Sequence, residues 1–290
     1  MTNLSDNVKG ILWMILSMAA FAAEDALLKG STQSLPIAQV LVLFGVGGVI
    51  LFGGTALLTG QALYVPEVTS RPMLIRAVFE VSGRLFYVLA FALAPLSIAT
   101  VILQATPLVV VGAAAVLFGE TVGWRRWAAI ILGLIGVIII IQPGSEAFSV
   151  FAIFAVLGML GFAGRDLASR AAPAALTTSQ LGVYGFLALI VAGAIYAGFE
   201  QRSFVWPDPM TGLLLVGAIL FGVTGYAALM RAMRSGEVAA VTPFRYSRLL
   251  FGLILSILFF GETLTGAIIV GSILILASGL FIIWRSRADR

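Results

Sequence analysis

The chain has 290 residues, of which 61% are apolar and 10% charged, with mean hydropathy +1.11 and formal net charge +4. No soluble domain of this length has enough interior to hide that much hydrocarbon, so the composition specifies a polytopic membrane protein. Cysteine and histidine are both absent, which excludes disulfides, thiolate chemistry, the usual general base and the commonest transition-metal ligands.

A spanning helix needs about 20 mostly apolar residues. Taken in chain order, such runs fall at 9–29, 37–59, 70–94, 96–118, 124–141, 148–170, 176–198, 209–234, 236–260 and 264–284. The first run follows Lys9 but continues into Glu24 and Asp25 without a cleavage signature, so it reads as a retained helix and not as a leader. The third carries Glu80, Arg84 and Tyr87 on one face. Ala94-Pro95-Leu96 leaves almost no loop before the fourth, which holds Gln104, Thr106 and Pro107. The ninth holds Thr242, Pro243, Arg245, Tyr246 and Arg248.

The chain repeats itself. Phe118-Gly119-Glu120-Thr121 returns as Phe260-Gly261-Glu262-Thr263, and Leu16, Met18, Phe21, Ala22 and Asp25 return as Leu157, Met159, Phe162, Ala163 and Asp166. Lys29 is answered by Arg170. Ten spans therefore divide into two related halves of five, 1–143 and 144–290. Because five is odd, the second half enters the membrane from the opposite side, and a transporter site between inverted halves is the expectation. With the N-terminus in the cytoplasm, twelve Lys and Arg at span ends face inward and two, Lys29 and Arg202, face outward, as short-loop charge bias requires. Both termini are then cytoplasmic. This asymmetry also accounts for most of the net charge without a nucleic-acid partner.

Charges inside spans are the candidate functional groups, since a mid-bilayer charge costs about 2.5–3.5 kcal/mol and must face protein or water. Arg84 and Glu80 form an i, i+4 pair suited to a cavity wall or to a structural tie. Arg245 and Arg248 share a face and would repel unless an anion or acceptors lie between them, and their planar forks suit carboxylates. Phe21, Tyr87, Phe162, Tyr226 and Tyr246 are candidate cavity aromatics, with packing as the plainer alternative. Gln104 and Thr106 could read a substrate or bond a neighbouring helix. The repeated stripe places Asp25, Lys29, Asp166 and Arg170 along a lining or gating face. Glycines 45, 47, 48, 53 and 54 suggest close helix contact. Pro107 and Pro243 stand 13 and 19 residues before their repeated glutamates, so the two fourth helices are expected to bend at different depths.

Five-plus-five inversion, the Phe-Gly-Glu corner closing the fourth helix of each half, Ala105-Thr106-Pro107-Leu108, and the run from Gly236 to Tyr246 resemble the drug/metabolite transporter superfamily, in its EamA type. The resemblance covers nearly the whole chain. It implies an all-α fold of ten transmembrane helices, no enzymatic activity, and a small-molecule substrate. The family's amino-acid exporters, including the aromatic branch, fit a cavity with arginines and aromatics.

The expectation is a secondary transporter exporting amino acids or related metabolites by alternating access. A permease or multidrug exporter for other metabolites or organic cations is the alternative. No P-loop spacing is present, so a gradient must supply the energy; Glu80 is the candidate carrier where protons do so. Neither metal nor cofactor is expected. Lipid is the surrounding partner, and economy of loops points to a bacterial inner membrane.

Overall fold

The computed structural model describes residues 4–119, 123–143, 149–170, 176–235 and 241–288. Eleven α-helices account for the spans there: α1 (Leu4–Thr32), α2 (Ile37–Leu58), α3 (Arg71–Leu93), α4 (Leu96–Leu103), α5 (Thr106–Phe118), α6 (Trp124–Ile141), α7 (Ala152–Arg170), α8 (Thr178–Glu200), α9 (Pro209–Arg234), α10 (Ser247–Phe260) and α11 (Gly266–Ala288). Short 3-10 turns lie at Pro66–Thr69 and Thr242–Tyr246. Where they fall on described residues, the expected boundaries agree within a few residues; the expected starts at 148 and 236 lie outside them. Bulky apolar side chains such as Leu58, Val116, Leu258 and Phe259 face outward, as they must where the solvent is hydrocarbon.

Local chemistry sets the helix ends. Asp208 caps α9, accepting from the backbone N–H groups of Met210 and Thr211, with Pro209 in the first turn. Thr177 and Gln180 close a reciprocal capping box on α8. Gly119 and Gly261, the glycines of the repeated tetrapeptide, adopt φ of 66° and 60° and end α5 and α10 in the left-handed conformation. That conformation is what favours glycine at this position.

The pairing of helices follows the repeat. α1 lies along α9 and α3 along α7, contacts that exchange under the repeat, while α2 pairs with its own counterpart α8 and α6 with α11. Side chains reproduce the exchange. A methyl added at Gly225 would meet the Phe21 ring at 3.0 Å, and one added at Gly83 would meet the Phe162 ring at 3.0 Å. Residues that are copies of each other also touch, which is possible only beside a twofold axis. Phe44 and Phe186 stack edge to face at 5.1 Å, and Gln104 Nε2 donates to the Arg245 carbonyl, 141 residues away, at 3.3 Å. The protein is thus an integral membrane protein of two inverted five-helix repeats, with its pseudo-twofold axis passing by these pairs.

One expectation fails here. Despite the different proline positions, the fourth and ninth spans break in register: α5 begins at Thr106 and α10 at Ser247, which are 141 residues apart, as the repeat requires. Each proline occupies a first helical turn, Pro107 in α5 and Pro243 in the preceding 3-10 turn. Pro107 in the first turn of α5 breaks no bond of that helix, so a proline's position need not mark where its span bends. The second half inserts a 3-10 turn and keeps the register. The glycine reading also needs correction in part. Gly45, Gly47 and Gly48 pack against Ile190, Ile219 and Phe186, but Gly53 and Gly54 face open space.

Candidate functional site

Among the described residues, eight spans are long and apolar enough to cross a membrane on composition alone; α3 and α7 are not among them. These two helices lie against each other, and they carry the charges that lower their apolarity, Arg76, Glu80 and Arg84 on α3 and Arg165 and Asp166 on α7. Pairing them lets each bury what it could not show to lipid.

Glu80 is the hub. It is 3% exposed, and its carboxylate meets Arg76 Nη2 at 3.5 Å, Arg84 Nε at 3.4 Å and Arg165 Nη1 at 3.4 Å. Arg165 also holds Asp166 at 2.8 Å and lies 4.8 Å from the Phe162 ring centre. Arg84 reaches across to Glu24 of α1 at 3.5 Å. The next residue, Asp25, accepts from Arg248 Nη2 of α10 at 2.6 Å and from the Tyr87 hydroxyl at 2.8 Å. The Arg248 guanidinium lies over Phe21 and Tyr87, at 5.2 Å and 5.7 Å from the ring centres. Charges from α1, α3, α7 and α10 therefore form one largely buried cluster spanning both halves. Such a cluster survives in low dielectric only because opposite charges and donors meet their partners.

Two cationic groups in this region retain unused donors. Arg248 Nε is buried without a hydrogen-bond partner. Arg245, three residues earlier, makes no side-chain hydrogen bond or ion pair among the described residues and influences Asp166 only across space. Glu24 stands opposite in character. It is 2% exposed and accepts one long bond from Arg84, beside Phe44 and Gly222.

The sequence candidates separate on this geometry. Arg84, Glu80, Tyr87, Arg248, Asp25, Asp166, Phe21 and Phe162 come together, with Arg245 at the margin. Gln104 bonds the Arg245 backbone, and Thr106 turns back onto the Leu103 carbonyl at 2.6 Å. Tyr226 meets Phe52 edge to face at 5.5 Å and lies beside the cluster, within electrostatic reach of Arg76, Glu80, Arg84 and Arg165. Tyr246 is buried, its hydroxyl facing Gly279 without a bond partner. Lys29 sits apart from the cluster, at one end of the bundle. The side chain of Arg170 lies outside the described residues, as do Glu120 and Thr121. Sequence reasoning misses Glu24 and counts Arg76 and Arg165 only among the twelve Lys and Arg at cytoplasmic span ends. Arg76 lies four residues before Glu80 on the same face, which was the available signal.

Residues 8–142 and 148–284 match the model of the EamA-like transporter family. The chain belongs to that family. It is a transporter of small molecules and not an enzyme. Relatives include an S-adenosylmethionine uptake transporter of Rickettsia prowazekii, 23% identical over 98% of this chain and 95% of the relative. A riboflavin transporter of Rhizobium johnstonii is 28% identical over 95% and 91%. A pseudopaline exporter of Pseudomonas aeruginosa is 27% identical over 93% and 94%. One solved crystal structure superposes with TM-score 0.61 at 20% identity, covering 95% of this chain and 96% of the other, a likeness that establishes the fold alone.

Proposed function

We propose that the protein exports small carboxylate-bearing metabolites, amino acids with aromatic or apolar side chains first among them, by alternating access between the halves 1–143 and 144–290. The observation that carries this reading is the pair of unused cationic donors on one helical segment, Arg248 Nε and the Arg245 guanidinium. The Arg245 main chain lies beside the axis, its carbonyl accepting from Gln104. A carboxylate bridging them would relieve their mutual repulsion and satisfy the buried Nε. Phe21, Tyr87 and Phe162 supply apolar surface for the substrate body. S-adenosylmethionine, named for one group of relatives, is itself an amino acid, which favours this head group. Those names include both uptake and export, so direction rests on the resemblance to amino-acid exporters.

The Arg and Lys bias of the span ends supports cytoplasmic termini in this reading, and economy of loops supports a bacterial inner membrane. Proton exchange is the proposed driving force, with Glu24, held by one long bond, as the candidate carrier in place of Glu80, whose charge three guanidiniums require. The second reading, a permease or multidrug exporter for organic cations or other metabolites, is favoured by Glu24, a buried acid with a single long bond. Counterflow in proteoliposomes separates the readings when a panel of amino acids is run beside a panel of organic cations. Arg245→Ala is expected to lower amino-acid counterflow by about tenfold or more, the effect of losing a charged hydrogen bond. No movement of any amino acid, or wild-type rates for both Arg245→Ala and Arg248→Ala, would end the first reading. A cation substrate would instead depend on Glu24 or Asp25 and ignore the arginines.

A further inference from the structure

Away from the ion cluster, one end of the bundle is fastened by contacts that cross between the halves. α3 ends at Leu93 and α4 begins at Leu96, with Pro95 between them. That corner presents the last carbonyls of one helix and the first N–H groups of the next, which have no partners within their helices. Both sets are satisfied by distant side chains. Lys29 Nζ donates to the carbonyls of Phe91 and Ala94 at 2.8 Å and 2.7 Å. Glu262, from the second half, accepts from Leu96 N at 2.6 Å and Ser97 N at 2.9 Å. Lysine and glutamate also pair at 3.5 Å, and the ammonium sits 5.2 Å from the Phe260 ring centre. The cation thus sits at the negative helix end and the anion at the positive end, each where the helix dipole favours it.

A second glutamate does similar work nearby. Glu200 accepts from Ile37 N and Ala38 N, both at 2.8 Å, at the start of α2. Yet α2 and α8 are also joined at their opposite end, where Gln180 and Tyr184 donate to the carbonyls of Ala62 and Leu63. A pair fastened at both ends and along its length is a fixed spine. The Glu262 contact is different in kind. Its carboxylate stands on a non-helical corner, 261–265, after the left-handed Gly261, around which nothing crowds. Its side chain and that of Lys29 keep 11% and 12% of their surface exposed, so water can replace each bond on release.

We propose that Lys29, Glu262 and the α3–α4 corner form a latch that holds this end of the transporter shut and opens when substrate passes there. The latch rests on the reading of two halves that rock, but not on any substrate. Ser97 is a natural reporter, fully buried beside the carboxylate with its hydroxyl unpartnered, in a chain without cysteine. The experiment measures N-ethylmaleimide labelling of Ser97→Cys in nanodiscs, alone and combined with Glu262→Gln or Lys29→Gln. Ser278→Cys, buried in α11, is measured in the same backgrounds. Each latch substitution should raise the Ser97→Cys rate about tenfold or more, the factor expected from losing a charged hydrogen-bonding partner, while the Ser278→Cys rate stays unchanged. Unchanged labelling at 97 in both backgrounds would overturn the latch. So would acceleration at 97 and 278 together, which would make the contact a structural staple whose loss loosens the whole fold. Because no substrate is used, failure of the amino-acid reading leaves this result standing, and the reverse holds equally.

Discussion

Glu80→Gln is expected to be among the most damaging single substitutions in this protein, lowering stability by about 3–5 kcal/mol, the range for stripping one partner from a buried ion pair. The carboxylate is almost wholly buried and three guanidiniums converge on it. An amide keeps the shape but removes the charge, leaving Arg76, Arg84 and Arg165 to repel one another within a few ångströms. Arg165 keeps Asp166 and Arg84 keeps Glu24, so the cluster is weakened without being emptied. Thermal unfolding of purified protein, followed by size-exclusion chromatography, reads the effect. Adding Arg84→Gln to Glu80→Gln should recover part of the loss, because it removes one of the stranded charges. A Glu80→Gln protein as stable as the wild type would mean that the cluster is wet enough for water to stand in for the carboxylate.

The second large effect is steric. Gly161 of α7 meets the backbone of α3 at Gly83, so closely that an added methyl would collide with main-chain atoms. Backbone cannot swing aside as a flexible side chain can. Gly161→Ala must therefore push α3 from α7 and strain every ion pair they share. The expected loss is about 1–3 kcal/mol, the range for overpacking. Gly53→Ala is the matched control: its methyl would meet nothing, and replacing a helical glycine by alanine is favourable by roughly 0.5–1 kcal/mol. Opposite signs for two glycine-to-alanine changes, measured as melting temperatures in the same detergent, are the expected result. Equal shifts would contradict the close α3–α7 approach.

Much of this architecture is legible in the residues, because duplication and hydropathy are one-dimensional signals. The copies of Phe-Gly-Glu-Thr reveal the halves, and apolar run length reveals the spans. Spacing on a single helix also placed Glu80 with Arg84, which the structure keeps together. What spacing does not encode is which charge on one helix meets which on another. Asp25 and Arg248 are 223 residues apart, and Glu262 caps a helix 166 residues earlier. Glu24 went unnoticed beside Asp25 because adjacent residues on a helix face different neighbours. Arg76 and Arg165 count in the sequence only as charges at cytoplasmic span ends, because they stand near those ends. Only contact between α3 and α7 turns them inward. The proline reading misled for a related reason: a ring in a first helical turn removes no bond, so its position did not report the break.

Everything functional here depends on the halves being inverted, so that their copies meet beside one axis in the membrane. Single cysteines at Gly123 and Thr265, which flank the two copies of the Phe-Gly-Glu-Thr corner, test that most directly. In intact cells a membrane-impermeant maleimide should label one of them and reach the other only after permeabilisation, with position 265 on the outer side. Labelling of both from the same side of the membrane would contradict the inverted arrangement and, with it, the site between the halves.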